Sequence, residues 1–397
     1  HLTVAYAPDP GELVDVTAGS EIALKPIEIE DLLGRKAHSL QTDRIQEMIV
    51  GKRVVVLGAG GSIGSELCRQ IASYGPARLV MLDTSEFNLY CIDQDLQALA
   101  PGLDRDAVIC SVCNREQMHR LMHRERPDLI FHAAALKHVP LVEANACEGV
   151  FTNVFGTINA ADAAREAGAK AFVLISTDKA IQPTSVMGAT KRIAEYYCQG
   201  LDLERSATRF MTVRFGNVLG SSGSVVPLFE KQLRTGGPLT VSHPDITRYF
   251  MTIPEATQLI LQASSIGKGG EIFVLNMGEP INISYLAQQL ILLSGKRPGE
   301  DVKIVYTGLR PGEKPFEELF HDTEELIETP HPKTLLARSR KVDLTALERM
   351  LDALAHAAGA NDKGEMKRLL NELVFMPDKD SARAKPHMEL VTQRKSE

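Results

Sequence analysis

A glycine-rich turn between an apolar run and a helical pattern is the feature that most constrains the fold. The run Val54–Leu57 leads directly into Gly58-Ala59-Gly60-Gly61-Ser62-Ile63-Gly64, after which apolar residues recur at helical spacing. In such a turn one glycine allows the tight bend, one lets the backbone approach a pyrophosphate, and one lets the helix pack on the strand. The free N–H groups of the helix N-terminus then favour the phosphates. The residues expected to contact a dinucleotide are Gly58, Gly61, Ser62, Ile63 and Gly64.

A carboxylate follows at the position that would bind the adenine ribose. Asp83 ends the next apolar run, Leu79–Leu82, nineteen residues after Gly64. An acidic residue there accepts hydrogen bonds from the ribose hydroxyls and repels a 2′-phosphate. We therefore expect NAD, and NADP less so. Ser85 and the neighbouring amides are an alternative holder of a phosphate.

Strand-like apolar runs alternate with amphipathic helical patterns over the first half of the chain. This alternation is typical of βαβ units and predicts a Rossmann-like, doubly wound parallel α/β sheet. Strands are predicted at Arg53–Leu57, Arg78–Leu82, Ala107–Val112, Leu129–His132, Ala171–Ser176, Phe210–Arg214 and Ile272–Leu275, and helices at Ile27–Leu33, Asp43–Val50, Ser65–Tyr74, Arg115–Glu125, Asn153–Ala167, Ala189–Leu203, Pro254–Ser264, Asp343–His356 and Lys363–Leu373.

After about residue 220 glycine and proline interrupt the regular pattern, as in Gly236-Gly237-Pro238. Such punctuation favours a smaller, loop-rich substrate-binding domain that interleaves with the first. The expected divisions are an N-terminal arm with short helices over 1–44, a nucleotide-binding domain over 45–220 to which 251–275 returns, a substrate-binding domain over 221–250 and 276–375, and a flexible tail over 376–397.

Composition excludes several classes of protein. The chain has 44 Lys+Arg and 51 Asp+Glu, a net charge of −7, which argues against a nucleic-acid partner. It contains no apolar run of about 18 residues, so no transmembrane helix is expected within it.

Its six cysteines are scattered, which favours a reducing compartment. Cys110 and Cys113 form a C-x-x-C pair without a second ligand pair, so we interpret them as small buried residues and expect no metal site.

A second motif follows the predicted strand Ala171–Ser176. Thr177-Asp178-Lys179 comes at the end of this strand, and Met187 and Lys191 lie one helical turn apart. Here the sequence resembles the extended short-chain dehydrogenase/reductase superfamily, which carries Tyr-x-x-x-Lys after a strand ending in Ser or Thr. Met187 occupies the tyrosine position. Because methionine cannot carry a proton, a simple dehydrogenase or epimerase is disfavoured.

Three further segments narrow the resemblance. With the triplet, His132–Pro140, Arg214–Ser221 and Gly308–Lys314 resemble the nucleotide-sugar 4,6-dehydratases of polysaccharide biosynthesis that act on UDP-N-acetylglucosamine, over about residues 25–340. The resemblance implies a lyase that oxidises C4, eliminates water across C5 and C6, and returns the hydride to C6. The product is a UDP-2-acetamido-2,6-dideoxy-4-hexulose for bacterial surface glycans or glycoproteins. Because NAD is regenerated in each turnover, we expect it to be tightly bound.

The resemblance also implies roles around the triplet. Asp178 is the acid and Lys179 the base, which requires a raised pKa for the Asp and a lowered pKa for the Lys. Lys191 bridges the nicotinamide ribose, and Met187 packs against the sugar or nicotinamide. Thr177 either binds the C4 hydroxyl or caps its loop.

The remaining candidate residues contact the cofactor or the substrate. Ala133 and Ala134 give the cofactor room, whereas Asn153 either contacts it or caps a helix. Arg248 binds the diphosphate or forms a surface salt bridge. The substrate-binding candidates are Lys137, Asn217, Arg248, Arg310 and Glu313.

The resemblance carries expectations about context as well. Methionine at the tyrosine position is typical of large, membrane-anchored members, and the chain begins with His1 rather than Met. We therefore expect a missing N-terminal membrane segment and a location at the cytoplasmic face of the bacterial inner membrane. A homodimer or larger homo-oligomer is expected, paired through Asn153–Ala167 and Ala189–Leu203. A UDP-sugar C4 epimerase and a catalytically inactive NAD-binding regulatory protein are the alternatives.

Overall fold

The structure is a computed structural model that describes residues 5–6, 25–26, 42–204, 207–320, 324, 326–337 and 341–376. The predicted helix Ile27–Leu33, most of the predicted N-terminal arm and the tail after Met376 lie outside these residues. No helix in the described part of the chain is both long enough and apolar enough to cross a bilayer.

The central strands are apolar and buried, as expected for a sheet covered by helices on both faces. In Val54–Leu57, for example, all four side chains are buried. The described strands are β1 (Ala5–Tyr6), β2 (Lys25–Pro26), β3 (Arg53–Leu57), β4 (Arg78–Asp83), β5 (Arg105–Ile109), β6 (Leu129–His132), β7 (Ala171–Thr177), β8 (Arg209–Phe215), β9 (Asn217–Val218), β10 (Leu239–Val241), β11 (Thr247–Arg248), β12 (Phe250–Met251), β13 (Ile272–Leu275), β14 (Ile281–Asn282), β15 (Ile304–Tyr306), β16 (Leu326–Glu328) and β17 (Thr334–Ala337).

Several helices begin at a residue whose side chain accepts a hydrogen bond from the first turn, an arrangement that stabilises the helix start. Ser185, for example, accepts from the N–H of Gly188 at 3.1 Å. The described α-helices are α1 (Thr42–Ile49), α2 (Ser62–Ser73), α3 (Glu86–Leu99), α4 (Arg115–Glu125), α5 (Val139–Ala144), α6 (Ala146–Gly149), α7 (Gly156–Glu166), α8 (Val186–Leu203), α9 (Val225–Arg234), α10 (Ile253–Ile266), α11 (Ile283–Leu293), α12 (Leu344–Gly359) and α13 (Lys363–Val374).

Within the described residues, nine strands form one sheet in the order β16-β17-β13-β8-β7-β6-β3-β4-β5. The strands from β5 to β13 are parallel, and β17 and β16 extend the sheet antiparallel. The chain order reverses between β3 and β6, and ligands bind at such a reversal, outside the carboxyl ends of the strands. The predicted doubly wound α/β fold is confirmed.

Alternate residues of each strand fill two apolar layers. Leu57 and Phe172 face the layer under α4, α7 and α8, whereas Val56 and Phe131 face the layer under α1, α2 and α10. A third, smaller core around Phe229 joins α9 and α11 to the pair β10–β15. The residues of this small core lie between Leu219 and Ile304.

The bounds of one predicted strand and the burial of one cysteine differ from the structure. The predicted strand Ala107–Val112 is Arg105–Ile109, because β5 is the edge strand, where exposed positions weaken the apolar pattern. Cys113 is exposed rather than buried, whereas Cys110 is buried.

The helices expected to meet a second copy are covered by the chain itself. All side chains from Met187 to Leu201 in α8 are buried, and α12 and α13 pack on that helix. The hydroxyl of Tyr196 donates to the carbonyl of Val374 at 3.1 Å. The expected pairing of two copies through Ala189–Leu203 is therefore wrong, because α8 already has an intramolecular partner, whereas the homo-oligomer itself stays a prediction. The same packing places α12 and α13, within the predicted substrate-binding range 276–375, on α8 and in the core of the large domain.

Candidate active site

The glycine turn after β3 is closed tightly by backbone contacts. Gly58 has a φ of +80°, and a Cβ there would lie 2.5 Å from the amide nitrogen of Ala134. A Cβ at Gly64 would overlap the carbonyl oxygen of Gly58. No side chain caps the N-terminus of α2 at Gly61, so its first turn presents free N–H groups to an anion. The turn has the shape that a pyrophosphate requires.

Gly58→Ala is expected to abolish dinucleotide retention, and Gly75→Ala is the matched control. Both glycines have positive φ, so each alanine carries a backbone penalty of about 1–2 kcal/mol. Only at Gly58 does the new methyl also collide with backbone, whereas Gly75 has no atom within 4 Å. The measurement is the amount of dinucleotide released on denaturing each purified variant. Equal retention by the two variants would contradict the role of this close approach.

Asp83 holds the glycine turn in place. Its Oδ2 accepts from the N–H of Gly60 at 2.9 Å, and its Oδ1 accepts from the N–H of Ser85 at 2.8 Å. The Ser85 hydroxyl accepts from the N–H of Asn88 and so caps α3.

A cavity of about 450 Å³ opens beside this turn, between the ends of β3, β6, β7 and β8. It lies where the strand order reverses, as the fold requires. The cavity brings together residues that are far apart in the sequence. The predicted site residues that line it are Gly61, Ser62, Ile63, Gly64, Ala133, Lys137, Thr177, Lys179, Met187, Lys191 and Asn217.

Ala134 and Asn153 support the cavity from behind. Ala134 packs against Gly58, as described above. Asn153 lies inside a continuous helical segment rather than at its start, and it is fully buried. Its Oδ1 accepts from the N–H of Leu136 at 2.8 Å. Its Nδ2 donates to the carbonyl of Leu136 at 2.9 Å and to the Thr190 hydroxyl at 3.0 Å. The expected N-cap is wrong, and Asn153 instead fixes the loop after β6 to α8.

Thr177 connects the cavity to Asp178. The Thr177 hydroxyl lines the cavity, donates to Asp178 Oδ1 at 2.8 Å and accepts from the N–H of Lys179 at 3.4 Å. Asp178 itself is 1% exposed, and its Oδ2 has no hydrogen-bond partner among the described residues. Thr177 therefore caps its loop and also joins the buried carboxylate to the cavity.

The Lys179 ammonium lies among three oxygen acceptors. Its Nζ is 3.0 Å from Asp178 Oδ1, 3.2 Å from Asn217 Oδ1 and 3.3 Å from Glu317 Oε1. Burial by itself lowers the pKa of Lys179, but the carboxylates of Asp178 and Glu317 outweigh it and hold the pKa above its usual value. The expectation of a lowered pKa for this lysine is wrong for the arrangement in the structure.

Two residues that the motifs did not single out complete this centre. Glu317 reaches Lys179 from the segment after Gly312, and its side chain is buried. Gly188 lets the first turn of α8 pack on the Lys179 carbonyl oxygen, which a Cβ would overlap. Glu317 could have been suspected from an acidic residue within Pro315-Phe316-Glu317-Glu318-Leu319, but the sequence does not tell which carboxylate points inward.

Met187 and Lys191 line the cavity one turn apart on α8. The Nζ of Lys191 donates to the carbonyl of Ile175 at 2.6 Å. Burial lowers the pKa of Lys191 to about 8, against the opposing effect of Glu195. Met187 is buried and offers only apolar surface, so proton transfer must use other groups.

Arg248 is buried and organises the segment that carries Glu317. It donates to the carbonyls of Lys314 at 2.8 Å and Pro315 at 3.2 Å, and its Nε lies 3.7 Å from Glu317 Oε1. The alternative of a surface salt bridge is therefore wrong. Glu313 lies 3.6 Å from the same guanidinium and accepts from the Ser242 hydroxyl at 3.0 Å.

A second cavity of about 190 Å³ adjoins the first. Lys137 and Lys179 line both cavities, which places them at the junction. Arg310, Glu313 and Arg248 line the second cavity alone. The lining is rich in cations, as a site for an anionic group requires.

A buried group of charges lies beneath the loop that carries Asp178 and Lys179. The carboxylate of Glu195 accepts two hydrogen bonds from Arg214, at 2.8 and 2.7 Å, and one from the Ser176 hydroxyl at 2.6 Å. Arg214 also pairs with Glu324 at 2.9 Å, and Arg192 lies within 3.4 Å of both carboxylates. Ser176 directly precedes Thr177, so this group anchors the end of β7.

The doubly wound sheet, the glycine turn at the strand reversal and the lysine one turn after Met187 define an extended short-chain dehydrogenase/reductase. The chain belongs to the family described as polysaccharide biosynthesis protein, whose model matches residues 54–339.

The chain is similar to two curated bacterial proteins and one solved structure. It is 49% identical over 302 residues to the capsular polysaccharide biosynthesis protein CapD of Staphylococcus aureus, covering 76% of this chain and 50% of CapD. It is 48% identical over 337 residues to the probable polysaccharide biosynthesis protein EpsC of Bacillus subtilis, covering 85% of this chain and 56% of EpsC. The chain thus spans about half the length of these relatives. The structure of Pen from Bacillus thuringiensis is 34% identical, with a TM-score of 0.67, and covers 74% of this chain and 89% of Pen.

Proposed function

We propose that the chain is an NAD-dependent UDP-N-acetylglucosamine 4,6-dehydratase. The observation that carries the proposal is the contact of Asp178 with Lys179 at the end of β7, with Met187 where a tyrosine acid or base is otherwise expected. Two proton-carrying groups beside a dinucleotide-shaped cavity suit an elimination of water. The match to polysaccharide biosynthesis proteins supports a nucleotide sugar as substrate.

The residues around the first cavity fit a nicotinamide dinucleotide. The cradle at Gly58 and Gly64 has no space for side chains, and Asp83 lies beside it. Bound NAD would supply reversible hydride transfer, away from C4 and later back to C6 of the sugar. Lys191 would hold the nicotinamide ribose, and Asp83 would exclude a 2′-phosphate. Denaturation of the purified protein should therefore release NAD rather than NADP.

The proposed acid–base roles follow from the burial of Asp178 and its hydrogen bond to Thr177. Thr177 would accept a hydrogen bond from the C4 hydroxyl and relay its proton to Asp178, which lies behind it. Asp178 would later return this proton to the departing C6 oxygen, which leaves as water. Lys179 would take the C5 proton and, after the hydride has reached C6, deliver a proton from its ammonium group to C5. Met187 would only pack against the sugar or the nicotinamide.

The second cavity is the proposed site of the UDP moiety. Lys137 and Arg310 would bind the diphosphate, because guanidinium and ammonium groups form charge-assisted hydrogen bonds to phosphate oxygens. Arg248 and Glu313 would act mainly by holding the segment that forms the cavity wall. Asn217 would orient Lys179 and meet the substrate from the first cavity.

The test is incubation of the purified chain with UDP-N-acetylglucosamine and mass analysis of the product. Loss of one water with the appearance of a 4-keto group supports the dehydratase. An isomer of unchanged mass would support the alternative C4 epimerase, which Met187 disfavours because it cannot exchange a proton. No conversion, with NAD still bound, would support an inactive regulatory protein, which the buried Asp178–Lys179 pair disfavours.

The longer relatives motivate a proposal about context. The chain would be the catalytic part of a larger protein with membrane segments before residue 1, at the cytoplasmic face where UDP-sugars are available. The coding sequence upstream of residue 1 tests this directly. A natural start within a few residues of His1 would contradict it.

A further inference from the structure

We propose that Glu317 is the positioning residue that sets the charge of Lys179, by taking from it the proton that it must lose before it can act as a base. The inference rests on the proposed dehydratase function and adds a group from the C-terminal segment to its proton chemistry. It arises from a conflict between the site geometry and the expected role of Lys179.

The conflict is that Lys179 is held as a cation. An ammonium group has three N–H donors, and Nζ has three oxygen acceptors within 3.3 Å, on Asp178, Asn217 and Glu317. A nitrogen saturated in this way has no lone pair with which to remove the C5 proton. Some neighbouring group must accept one of its protons first.

Of the three acceptors, Glu317 is best suited to take it. Asn217 presents a neutral amide oxygen, and Asp178 is already needed for the proton that moves from the C4 hydroxyl to the C6 oxygen. Glu317 has a buried side chain, and within the described residues its Oε2 has no hydrogen-bond partner. It is therefore a carboxylate with an open site in a poorly solvated position.

The charges facing Glu317 come from two elements. Lys179 and Asp178 follow β7 and Arg248 belongs to β11, whereas on its own segment Lys314 is directed at Glu318 and Glu313 at Ser242 and Arg248. Burial, helped by the charge of Asp178, raises the pKa of Glu317 above its usual value, although Lys179 and Arg248 act in the opposite direction. The same burial also opposes charge on Lys179. A neutral Lys179–Glu317 pair is thus accessible when water leaves the site.

The step moves one proton and no electrons between atoms that are already 3.3 Å apart. The N–H bond at Lys179 Nζ breaks, and an O–H bond forms at Glu317 Oε1. The neutral amine then takes the C5 proton, delivers one of the protons of the resulting ammonium group to C5 after hydride transfer, and recovers the proton held by Glu317. Each group ends the cycle in its starting state.

Because Lys179 and Glu317 share one proton, the inference predicts a distinctive pH profile of kcat. At any pH between the two macroscopic pKa values of the pair, the pair carries one exchangeable proton, so the fraction in the reactive form does not depend on exchange with solvent. The wild-type kcat should therefore be nearly flat between about pH 6 and 9. In Glu317→Gln the lysine must lose its proton to solvent, so kcat should fall by about 10²-fold at neutral pH and rise about tenfold per pH unit.

Two further variants separate this role from a structural one. Glu317→Asp keeps a carboxylate and should recover part of the activity with a flat profile. Glu318→Gln removes the adjacent carboxylate, which is 46% exposed and pairs with Lys314 at 3.2 Å, and should change neither rate nor profile. A purely structural effect of Glu317→Gln would lower the rate equally at every pH.

A titration without substrate keeps the inference independent of the proposed function. In protein labelled with ¹⁵N-lysine, the Lys179 signal is assigned by its loss in Lys179→Met. Glu317→Gln should lower the pKa of Lys179, because one of the two carboxylates that hold its charge is gone, and Glu318→Gln should leave it unchanged. If the wild-type chain makes no 4-keto sugar, the proposed function fails. The titration alone then decides whether Glu317 sets the charge of Lys179. An unshifted Lys179, or a flat and merely lowered profile in Glu317→Gln, overturns the inference.

Discussion

Replacing Asp178 by Asn is expected to slow the dehydration of UDP-N-acetylglucosamine by about 10²–10⁴-fold, the usual contribution of a general acid or base. Asn keeps the size of the side chain but cannot carry the proton from the C4 hydroxyl to the C6 oxygen. Because Asp178 is buried behind Thr177, with one oxygen bonded to that hydroxyl, no solvent group replaces it. The measurement is the rate of 4-keto product formation, with bound NAD and the unfolding transition recorded in parallel.

Lys179→Met should lose activity on a similar scale, about 10²–10⁴-fold, but at a different step. Methionine fills the volume of the lysine and cannot take the C5 proton. In deuterated water the wild-type enzyme should incorporate deuterium at C5, and this variant should not, even if C4 is still oxidised. The isotope therefore separates the roles of the two neighbouring residues.

Met187→Ala is the control for both variants, because it lies in the same cavity and carries no proton. It should lose far less activity than either, through packing alone. An Asp178→Asn enzyme with near-normal turnover would show that the proton path is assigned wrongly. A Met187→Ala enzyme as inactive as the other two would do the same.

The second large effect is expected at the buried charges beneath the loop that carries Asp178 and Lys179. Glu195→Gln should lower the free energy of unfolding by about 3–5 kcal/mol, because it leaves Arg214 with an incompletely compensated charge in the interior. Arg214 is 0% exposed and makes two hydrogen bonds to the Glu195 carboxylate. Urea denaturation with a constant slope measures the change.

Glu166→Gln is the matched control, since this carboxylate is 57% exposed and pairs with His119 at 2.8 Å. A change within about 0.5 kcal/mol is expected there. Replacing Glu195 and Arg214 together by apolar residues should recover part of the loss, because neither charge is then left unpaired. Equal effects of Glu195→Gln and Glu166→Gln would refute a special role for the buried pair.

The same pair predicts a pH dependence of stability. Burial alone raises the pKa of Glu195, but Arg214 and Arg192 outweigh it, so the pKa lies below its usual value. A depressed carboxyl pKa adds stability above the unfolded-state pKa of about 4.3, and this stability is lost as the pH falls through the lower folded-state pKa. In Glu195→Gln this acid-dependent loss should be absent from the unfolding curves.

Sequence reasoning identified the elements whose information is local. The turn from Gly58 to Gly64 was recognisable because glycine spacing, the preceding strand and the following helix are contiguous. Thr177-Asp178-Lys179 and the pair Met187 and Lys191 were recognisable for the same reason. The doubly wound order then placed both motifs at one edge of the sheet, since parallel strands end on the same side.

The sequence alone determined the fold class, the glycine turn and the position of the Thr177-Asp178-Lys179 triplet at the end of a strand, because each depends on residues a few positions apart. Tertiary structure decided which distant groups act on them. Glu317, more than a hundred residues from Lys179, raises the pKa of that lysine where the motif had implied a lowered one. The hairpin of α12 and α13 covers the face of α8 that had been expected to meet a second copy. Charge and burial depend on distances through space, and spacing along the chain does not encode those distances.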